Sequence, residues 1–274
     1  MEKILKPFAA ACFAALMLTA CTKQTKEPIA EAVTDDALAK IEALGFGTLG
    51  VKKISEGYLV EGDIVLTEAD LNNGSTSPSL MIAKEEQYRT FNLVSPTKHP
   101  TIKIALNNSS AAHEAAFGAA LDEAIRRYNA EGLTINFQRV TTGANITVVA
   151  FYENSSTLGS AGFPNSTGDP YNQVRMNTYH YKTTTDATNV NYIATIIAHE
   201  VGHCIGFRHT DYMSRRYSCG YGGNEGQSST GVGAVHIPGT PTKGDPNSFM
   251  LACVGTNVNR PFNSNDKVAL SYLY

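Results

Sequence analysis

Apolar residues recur with two different periods along the chain, and the change of period predicts where its helices and strands lie. Residues 113–131 carry an apolar residue at every third or fourth position and end at Gly132, which predicts an amphipathic helix. A second helix is predicted over residues 189–205 and ends at Gly206. Alternation of apolar and polar residues predicts strands over residues 101–106, 133–140, 145–152 and 174–177. This order favours an α+β fold in which a helix backs a twisted mixed sheet.

The first third of the chain follows a looser pattern. It contains one short helical pattern and two strand-like stretches, residues 58–60 and 64–66. A polar and charged stretch over residues 72–89 marks the expected boundary with the rest of the chain. We therefore predict an N-terminal segment over residues 36–90 and a main domain over residues 91–274.

The last third of the chain is poor in periodic pattern. Gly, Ser, Asn and Pro dominate residues 206–263, which predicts a mostly irregular C-terminal subdomain. Asn265 and Asp266 are side chains that commonly cap helices, so they are expected to begin a short final helix.

The N-terminus has the pattern of a targeting segment. Lys3 and Lys6 precede an apolar run over residues 7–20, which is shorter than the roughly 20 residues needed to span a bilayer. Residues 1–20 are therefore predicted to be a removable signal peptide, and the polar residues 21–35 a flexible tether.

Composition narrows the range of functions. Of the 274 residues 42% are hydrophobic and 17% charged, which excludes disorder for most of the chain. The 22 basic and 25 acidic residues give a net charge of -3, so we expect no nucleic-acid partner. Three cysteines lie in the predicted folded part, and two of them can pair in an oxidising compartment. We favour Cys219 with Cys253, because Cys204 lies inside the predicted second helix.

The second predicted helix carries a set of histidines with metal-ligand spacing. Residues 199–211 read His-Glu-Val-Gly-His-Cys-Ile-Gly-Phe-Arg-His-Thr-Asp. Because His199 and His203 are four residues apart, they share one face of the helix and can bind one ion. Gly206 can adopt the left-handed conformation that ends a helix, which lets His209 reach the same ion.

Three imidazoles leave one coordination position for water, which is the arrangement of a catalytic zinc. A single Zn²⁺ is therefore the expected cofactor, and Glu200 lies beside it to accept a proton from that water. The extended motif resembles that of the metzincin clan of zinc peptidases, which is followed by a methionine turn. Met250 in Ser248–Phe249–Met250 is the candidate for that turn, and residues 266–274 look like the closing helix of such domains.

Within the clan, the chain is most similar to the bacterial dual-action HEIGH metallopeptidases, with Val201 where that name has isoleucine. The resemblance covers residues 91–274. It implies a metzincin-like zincin, with an active-site helix and a C-terminal subdomain that contains the methionine turn. It also implies an endopeptidase for protein or peptide substrates, with Glu200 as general base. Two alternatives stay open: a non-catalytic surface lipoprotein that binds a protein or glycan, and a zinc amidase that acts on cell-wall peptides.

The end of the predicted signal peptide, Leu18-Thr19-Ala20-Cys21, resembles the lipobox of bacterial lipoproteins. This resemblance implies that Cys21 is lipidated and becomes the mature N-terminus, so that acyl chains anchor the protein to a membrane. The expected location is the bacterial cell envelope, at the outer membrane or cell surface, or the medium after processing. An ordinary secretory signal with a cysteine at its border is the alternative.

One turn in the N-terminal segment has a composition that bears on regulation. Val60-Glu61-Gly62-Asp63-Ile64 resembles the F-x-G-D-I segment of astacin propeptides, whose aspartate binds the zinc and displaces water. The resemblance implies a latent precursor in which Asp63 is an inhibitory zinc ligand. An activating protease would then cut within residues 72–97. The alternative is a simple hairpin turn, since Gly-Asp is ordinary turn chemistry.

The remaining candidates concern substrate and transition state. Astacins carry a zinc-binding tyrosine two residues after the methionine, and here that position is Ala252. The tyrosines that could replace it as oxyanion donors are Tyr212, Tyr217 and Tyr221, although tyrosines in such loops usually pack. Residues 158–165 are the candidate rim for a substrate bound as an extended strand. No ligand role is expected for His99, His113, His180 and His236.

Overall fold

Short strands and helices alternate along the part of the chain that the structure describes. The structure is a computed structural model, and it describes residues 32–73, 87–107, 110–220, 232–241 and 245–274. The strands are β1 (Lys52–Ile54), β2 (Gly57–Val60), β3 (Ile64–Leu66), β4 (Tyr88–Arg89), β5 (Thr101–Asn107), β6 (Asn136–Val140), β7 (Ile146–Phe151), β8 (Gly159–Ala161), β9 (Gln173–Asn177), β10 (Phe207–Arg208) and β11 (Val235–His236). The helices are α1 (Asp35–Ala43), α2 (Glu68–Asn73), α3 (Glu114–Asn129), α4 (Ala187–Ile205), α5 (Arg216–Cys219) and α6 (Ser264–Leu273).

Several sequence predictions fall outside these residues. The predicted signal peptide, Cys21 and Tyr221 all lie outside the described part of the chain. Within that part, none of the helices combines the length and the apolarity that crossing a membrane requires.

Eight strands form one mixed sheet in the order β1-β2-β3-β8-β9-β7-β5-β6. Strands β6, β5, β7 and β9 run parallel to one another, and β8 runs antiparallel to β9. Strand β3 lies parallel to β8 through the pair Ile64 and Ala161. The predicted α+β fold is therefore confirmed: a twisted mixed sheet, several helices and a final C-terminal helix.

Helix α4 crosses the core and has a capping residue at each end. The Asp186 side chain accepts a hydrogen bond from the Asn189 backbone N–H at 3.1 Å, so the helix begins two residues before the predicted start. Gly206 ends it with a φ of 115°, as predicted. Because the Gly206 N–H then donates to the carbonyls of Gly202 and His203, the last turn is closed.

The predicted cap of the final helix is wrong. Asn263 caps α6, and its side chain accepts hydrogen bonds from the backbone of Asn265 and Asp266. The Asp266 carboxylate in turn accepts a hydrogen bond from the Asn263 N–H at 3.0 Å, and the two sets of hydrogen bonds form a capping box. The cap is therefore two residues earlier than expected, and Asp266 is the third residue of the helix.

The core lies between the sheet and the packed pair α3 and α4. The Tyr128 ring stacks on Phe137 at 4.5 Å between centroids, and its hydroxyl donates to the Ala198 carbonyl at 2.7 Å. The buried Arg127 guanidinium donates to Thr195 and Asn259, which joins α3 to α4 and to the loop before α6. These contacts fix the position of α4 along most of its length.

The N-terminal segment extends the same sheet. Strands β2 and β3 are buried, and they pack with α1 around a second apolar cluster that includes Phe163 of the main domain. The Arg208 guanidinium lies 4.1 Å from the centre of the Phe46 ring, a cation–π contact between the two parts. Residues 74–86 of the expected boundary lie outside the described ranges, so the division at residue 90 stays a prediction.

A second, three-stranded sheet has the order β10-β4-β11. Strand β4 is its centre, with Tyr88 opposite both Arg208 and His236. The described residues after β10 are otherwise mostly irregular, as the Gly- and Ser-rich composition predicted.

Candidate metal centre

Helix α4 and the turn that follows it bring three histidines together. His199 and His203 lie one helical turn apart on α4, and the left-handed Gly206 sends the chain back through β10 to His209. All three side chains are nearly or fully buried. The turn between β2 and β3 supplies a fourth group, Asp63, from the N-terminal segment.

The ligand atoms of these four residues converge on one point. The Nε2 atom of His203 lies 3.1 Å from Nε2 of His199 and 3.2 Å from Nε2 of His209. The Asp63 Oδ2 atom lies 3.1 Å from the Nε2 atom of His209 and 3.8 Å from that of His199. All four ligand atoms lie within 4.8 Å of one another. A tetrahedral ion with bonds of about 2.0–2.1 Å separates its ligands by about 3.3 Å, so the spacing fits a metal ion.

Hydrogen bonds on the far side of the rings set the tautomers. The Nδ1 atoms of His199 and His203 lie 2.8 Å from the carbonyl oxygens of Phe249 and Phe207, respectively. A carbonyl only accepts, so each Nδ1 carries the proton and each Nε2 presents a lone pair to the centre. Burial, followed by the charge of His209, lowers the pKa of His199 to about 4. Burial likewise holds the pKa of His203 well below its usual value, and neutral imidazoles are the form that binds metal.

Asp63 enters the centre on a strained turn. Glu61 and Gly62 have positive φ angles of 58° and 96°. This conformation is easy for glycine but unfavourable for Glu61, which has a Cβ. Burial raises the pKa of Asp63, but the charges of His209 and Arg215 and a hydrogen bond to His209 outweigh it and bring the pKa to about 2. The second oxygen, Oδ1, is buried and has no hydrogen-bond partner among the residues that the structure describes. The carboxylate is thus ionised and directed at the centre.

Glu200 lies beside the histidines and is 2% exposed. Its Oε2 atom has no hydrogen-bond partner among the described residues. Burial, reinforced by the negative charge of Asp63, raises the pKa of Glu200 well above its usual value. Gly159 of β8 makes room for this carboxyl, because a Cβ at residue 159 would lie 2.8 Å from Glu200 Oε1. The histidine motif gave no sign of this contact, although Gly159 lies within the predicted rim over residues 158–165.

The predicted methionine turn packs under the histidines. Met250 is fully buried, and Gly202 of α4 faces it, since a Cβ at residue 202 would lie 2.5 Å from Met250 Sδ. Asp266 of α6 holds the turn through hydrogen bonds from the Ser248 hydroxyl at 2.7 Å and the Phe249 N–H at 3.1 Å. The Phe249 carbonyl in turn orients His199, so α6 is linked to the metal centre.

A cavity of about 300 Å³ adjoins the centre. It lies between β8, α4 and the loop after Met250. Its lining includes Glu200, the turn from Glu61 to Asp63, and two arginines, Arg215 and Arg260. Leu158 and Gly159, from the predicted rim over residues 158–165, also line it.

A disulfide closes the loop side of this cavity. Cys219 and Cys253 are bonded, with Cα atoms 5.2 Å apart, and Cys204 is free and buried. The Ser218 hydroxyl accepts from the Cys253 N–H at 3.1 Å, and the Asp211 carboxylate accepts from the Ala252 N–H at 3.0 Å. The loop after the methionine turn is therefore fixed to the residues that follow His209.

The other candidate side chains lie apart from the four ligands. Tyr212 is 2% exposed and packs its ring on Tyr88, with centroids 4.1 Å apart, whereas Tyr217 is half exposed. The four histidines given no ligand role are absent from the metal-binding group of the described residues: His99, His113, His180 and His236. His180 lines the cavity and bonds the Ser155 carbonyl at 2.8 Å.

The fold and the centre together define a metallopeptidase of the zincin type, in which a buried helix carries paired histidines and a glutamate beneath a mixed sheet. The chain belongs to the dual-action HEIGH metallopeptidase family, whose model matches residues 58–274. The match includes the turn with Asp63 as well as the histidine motif. No curated protein matches the chain.

Proposed function

We propose that this protein is a zinc-dependent endopeptidase that is made as a latent precursor. The observation that carries the proposal is the convergence of three imidazole Nε2 atoms beside Glu200, whose Oε2 has no hydrogen-bond partner in the described part of the chain. Three neutral nitrogen ligands suit zinc, and the family is one of metallopeptidases. Protein or peptide substrates follow from that chemistry.

His199, His203 and His209 would hold the ion, which when bound supplies a Lewis acid and lowers the pKa of a coordinated water. Glu200 would act as the general base: its Oε2 would accept a proton from the water that attacks the peptide carbonyl. The same carboxyl would then deliver that proton to the leaving amine nitrogen. A substrate strand pairs with β8, whose carbonyls and N–H groups lie at the edge of the main domain's own part of the sheet.

Two contacts support latency in the uncleaved chain. The ionised Asp63 stands at the fourth ligand position, which a water would otherwise occupy. Strand β3 occupies the edge of β8 that a substrate strand would need. Cleavage within residues 72–97 would release both contacts, because the N-terminal segment is then no longer covalently tied to the main domain.

The tests use the chain without its signal peptide, with zinc content and casein hydrolysis measured before and after limited proteolysis. Glu200→Gln is expected to keep one zinc per chain and to lose nearly all hydrolysis. Full activity in this variant would remove Glu200 from the mechanism. Zinc without hydrolysis in either form of the wild type would favour the binding-protein alternative.

Latency has its own variant. Asp63→Ala is expected to raise casein hydrolysis by the uncleaved protein, because a water can then occupy the fourth position. The control is Asp36→Ala, which removes an exposed carboxylate of α1 from the same segment. Equal activity of the two uncleaved variants would favour a simple turn at Asp63.

We also propose that Cys21 carries a lipid anchor and that the protein acts at the cell envelope. The support is the lipobox-like sequence at the end of the apolar run. Cys21→Ser is expected to move the protein from the membrane fraction to the soluble fraction. An unchanged distribution would favour an ordinary secretory signal.

A further inference from the structure

The cavity beside the metal centre has a mainly basic lining when the turn from Glu61 to Asp63 is left out. Two of its lining residues are arginines, Arg215 and Arg260, and the acids that line it are Glu61, Asp63 and Glu200. Glu61 and Asp63 belong to the segment that cleavage would release. Among the described residues, the lining that would meet a substrate then combines two guanidinium groups with one carboxyl.

Arg260 enters the cavity from the loop before α6. Its backbone is fixed, because its N–H donates to the Thr195 hydroxyl at 2.9 Å. Within the described part of the chain, its guanidinium makes one long hydrogen bond, from Nη1 to the Cys253 carbonyl at 3.4 Å. No carboxylate of the described residues lies within ion-pair distance of it, although burial lowers its pKa. A half-buried guanidinium with donors to spare and a cavity in front of it is a site for an anion.

Arg215 gives an independent indication of what this cleft accepts. Its Nη1 atom lies 3.5 Å from Glu61 Oε2 and 3.9 Å from Asp63 Oδ1. Both carboxylates belong to the turn that occupies the cleft in the uncleaved chain. In the uncleaved chain, the cleft therefore already binds a segment of polypeptide with two acidic side chains, next to the metal centre.

We infer that the activated enzyme selects peptides with an acidic side chain on a residue that flanks the scissile bond, and that Arg260 binds this carboxylate. Arg215, which meets Glu61 and Asp63 in the uncleaved chain, meets a carboxylate at the other flanking position of the substrate. This inference rests on the proposed peptidase function. A basic substrate side chain would meet two guanidinium groups in a confined cavity and would be excluded.

The experiment uses activated wild type and matched fluorogenic peptides that differ only in the two residues flanking the scissile bond, with Asp, Asn, Ala or Lys in turn. We expect kcat/KM for Asp to exceed that for Asn by about 10- to 100-fold at one position at least, from the strength of charge-assisted hydrogen bonds. Equal rates for Asp and Asn at both positions would overturn the inference, while casein hydrolysis would still support the peptidase itself.

Variants assign the preference to a residue. Arg260→Gln should reduce the Asp-to-Asn ratio to near one at one position, mainly through KM, while Arg260→Lys retains part of it. Arg215→Gln should act at the other position. The control is Arg139→Gln, which removes an exposed arginine of β6 at the opposite end of the sheet. An acid preference that both Arg260→Gln and Arg215→Gln leave intact would overturn the role of the arginines. The wild-type comparison stands even if a variant does not fold.

Discussion

Gly202→Ala tests whether the methionine turn packs directly against the metal-binding helix. The added Cβ would lie 2.5 Å from Met250 Sδ and 3.0 Å from Phe249 Cε2. Since non-bonded carbon contacts are favourable near about 3.5–4.0 Å, Met250 would have to move by about 1 Å. Both neighbours are buried, so they have little room to move.

The expected loss of stability follows from two opposed effects. Overpacking of a filled core costs about 1–3 kcal/mol, whereas alanine is a better helix former than glycine by about 1 kcal/mol. We therefore expect a net loss of up to about 2 kcal/mol in the free energy of unfolding. Because the Phe249 carbonyl orients His199, we also expect metal affinity to fall by about tenfold.

The assay is urea unfolding of the metal-free protein, together with metal titration against a chromogenic chelator. The matched control is Gly118→Ala on α3, where the added Cβ would meet only the flexible end of Arg139 at 3.0 Å. That variant should be neutral or slightly stabilised. In a Met250→Ala background, Gly202→Ala should cost less than in the wild type, because the clash with the sulfur is gone and only the 3.0 Å contact with Phe249 Cε2 remains. Equal stability and equal metal affinity in Gly202→Ala and Gly118→Ala would refute the packing argument.

Three further predictions concern α6, a surface carboxylate and the metal. Asp266→Asn should lower the free energy of unfolding by about 1–3 kcal/mol and weaken metal binding, and urea unfolding and metal titration check this. The reason is that Ser248 donates to Oδ1 and Phe249 to Oδ2, so the amide nitrogen of asparagine would face one of these two donors in place of an oxygen. Hydrogen bonds and charge from Arg126 and Arg127 lower the pKa of Glu123 to about 2, although burial opposes them. The ionised carboxylate therefore contributes its full stabilisation of the folded state above about pH 4.5, and this contribution is lost as the pH falls toward 2. The stability difference between wild type and Glu123→Gln should therefore vanish over that range, and a difference that persists at pH 2 would contradict the ion-pair origin. Removal of the metal by a chelator should lower the midpoint temperature of thermal unfolding and abolish hydrolysis, and added zinc should restore both. If the midpoint did not change, the metal would not bind the folded state in preference to the unfolded state.

Much of the scaffold could be predicted because its signals are local. The long helices have apolar residues at a regular spacing and definite ends, and α4 ends at Gly206 as expected. The shared helix face of His199 and His203 depends only on helix geometry, and Gly206 ends the helix before His209, so both signals are local in the sequence. The four predicted strands of the main domain are present within three residues of their expected bounds.

The parts that could not be predicted depend on distant partners. Strand β8 consists of Gly159, Ser160 and Ala161, which have no strand propensity of their own and extend only because β9 and β3 flank them. Strand β4 has two residues and pairs with strands more than a hundred positions later in the chain. The approach of Arg260 to the cavity likewise depends on where the loop before α6 is held, which no local pattern reports.

The pairing of β3 with β8 also bears on the order in which the protein is made. A chain emerges from the ribosome N-terminus first, so β3 is synthesised about a hundred residues before β8. When β8 emerges, the strand that covers its edge is therefore already available, and the edge need not be open to other unfinished chains. The same three-residue strand would thus protect the nascent chain from mispairing before it covers the β8 edge in the folded protein.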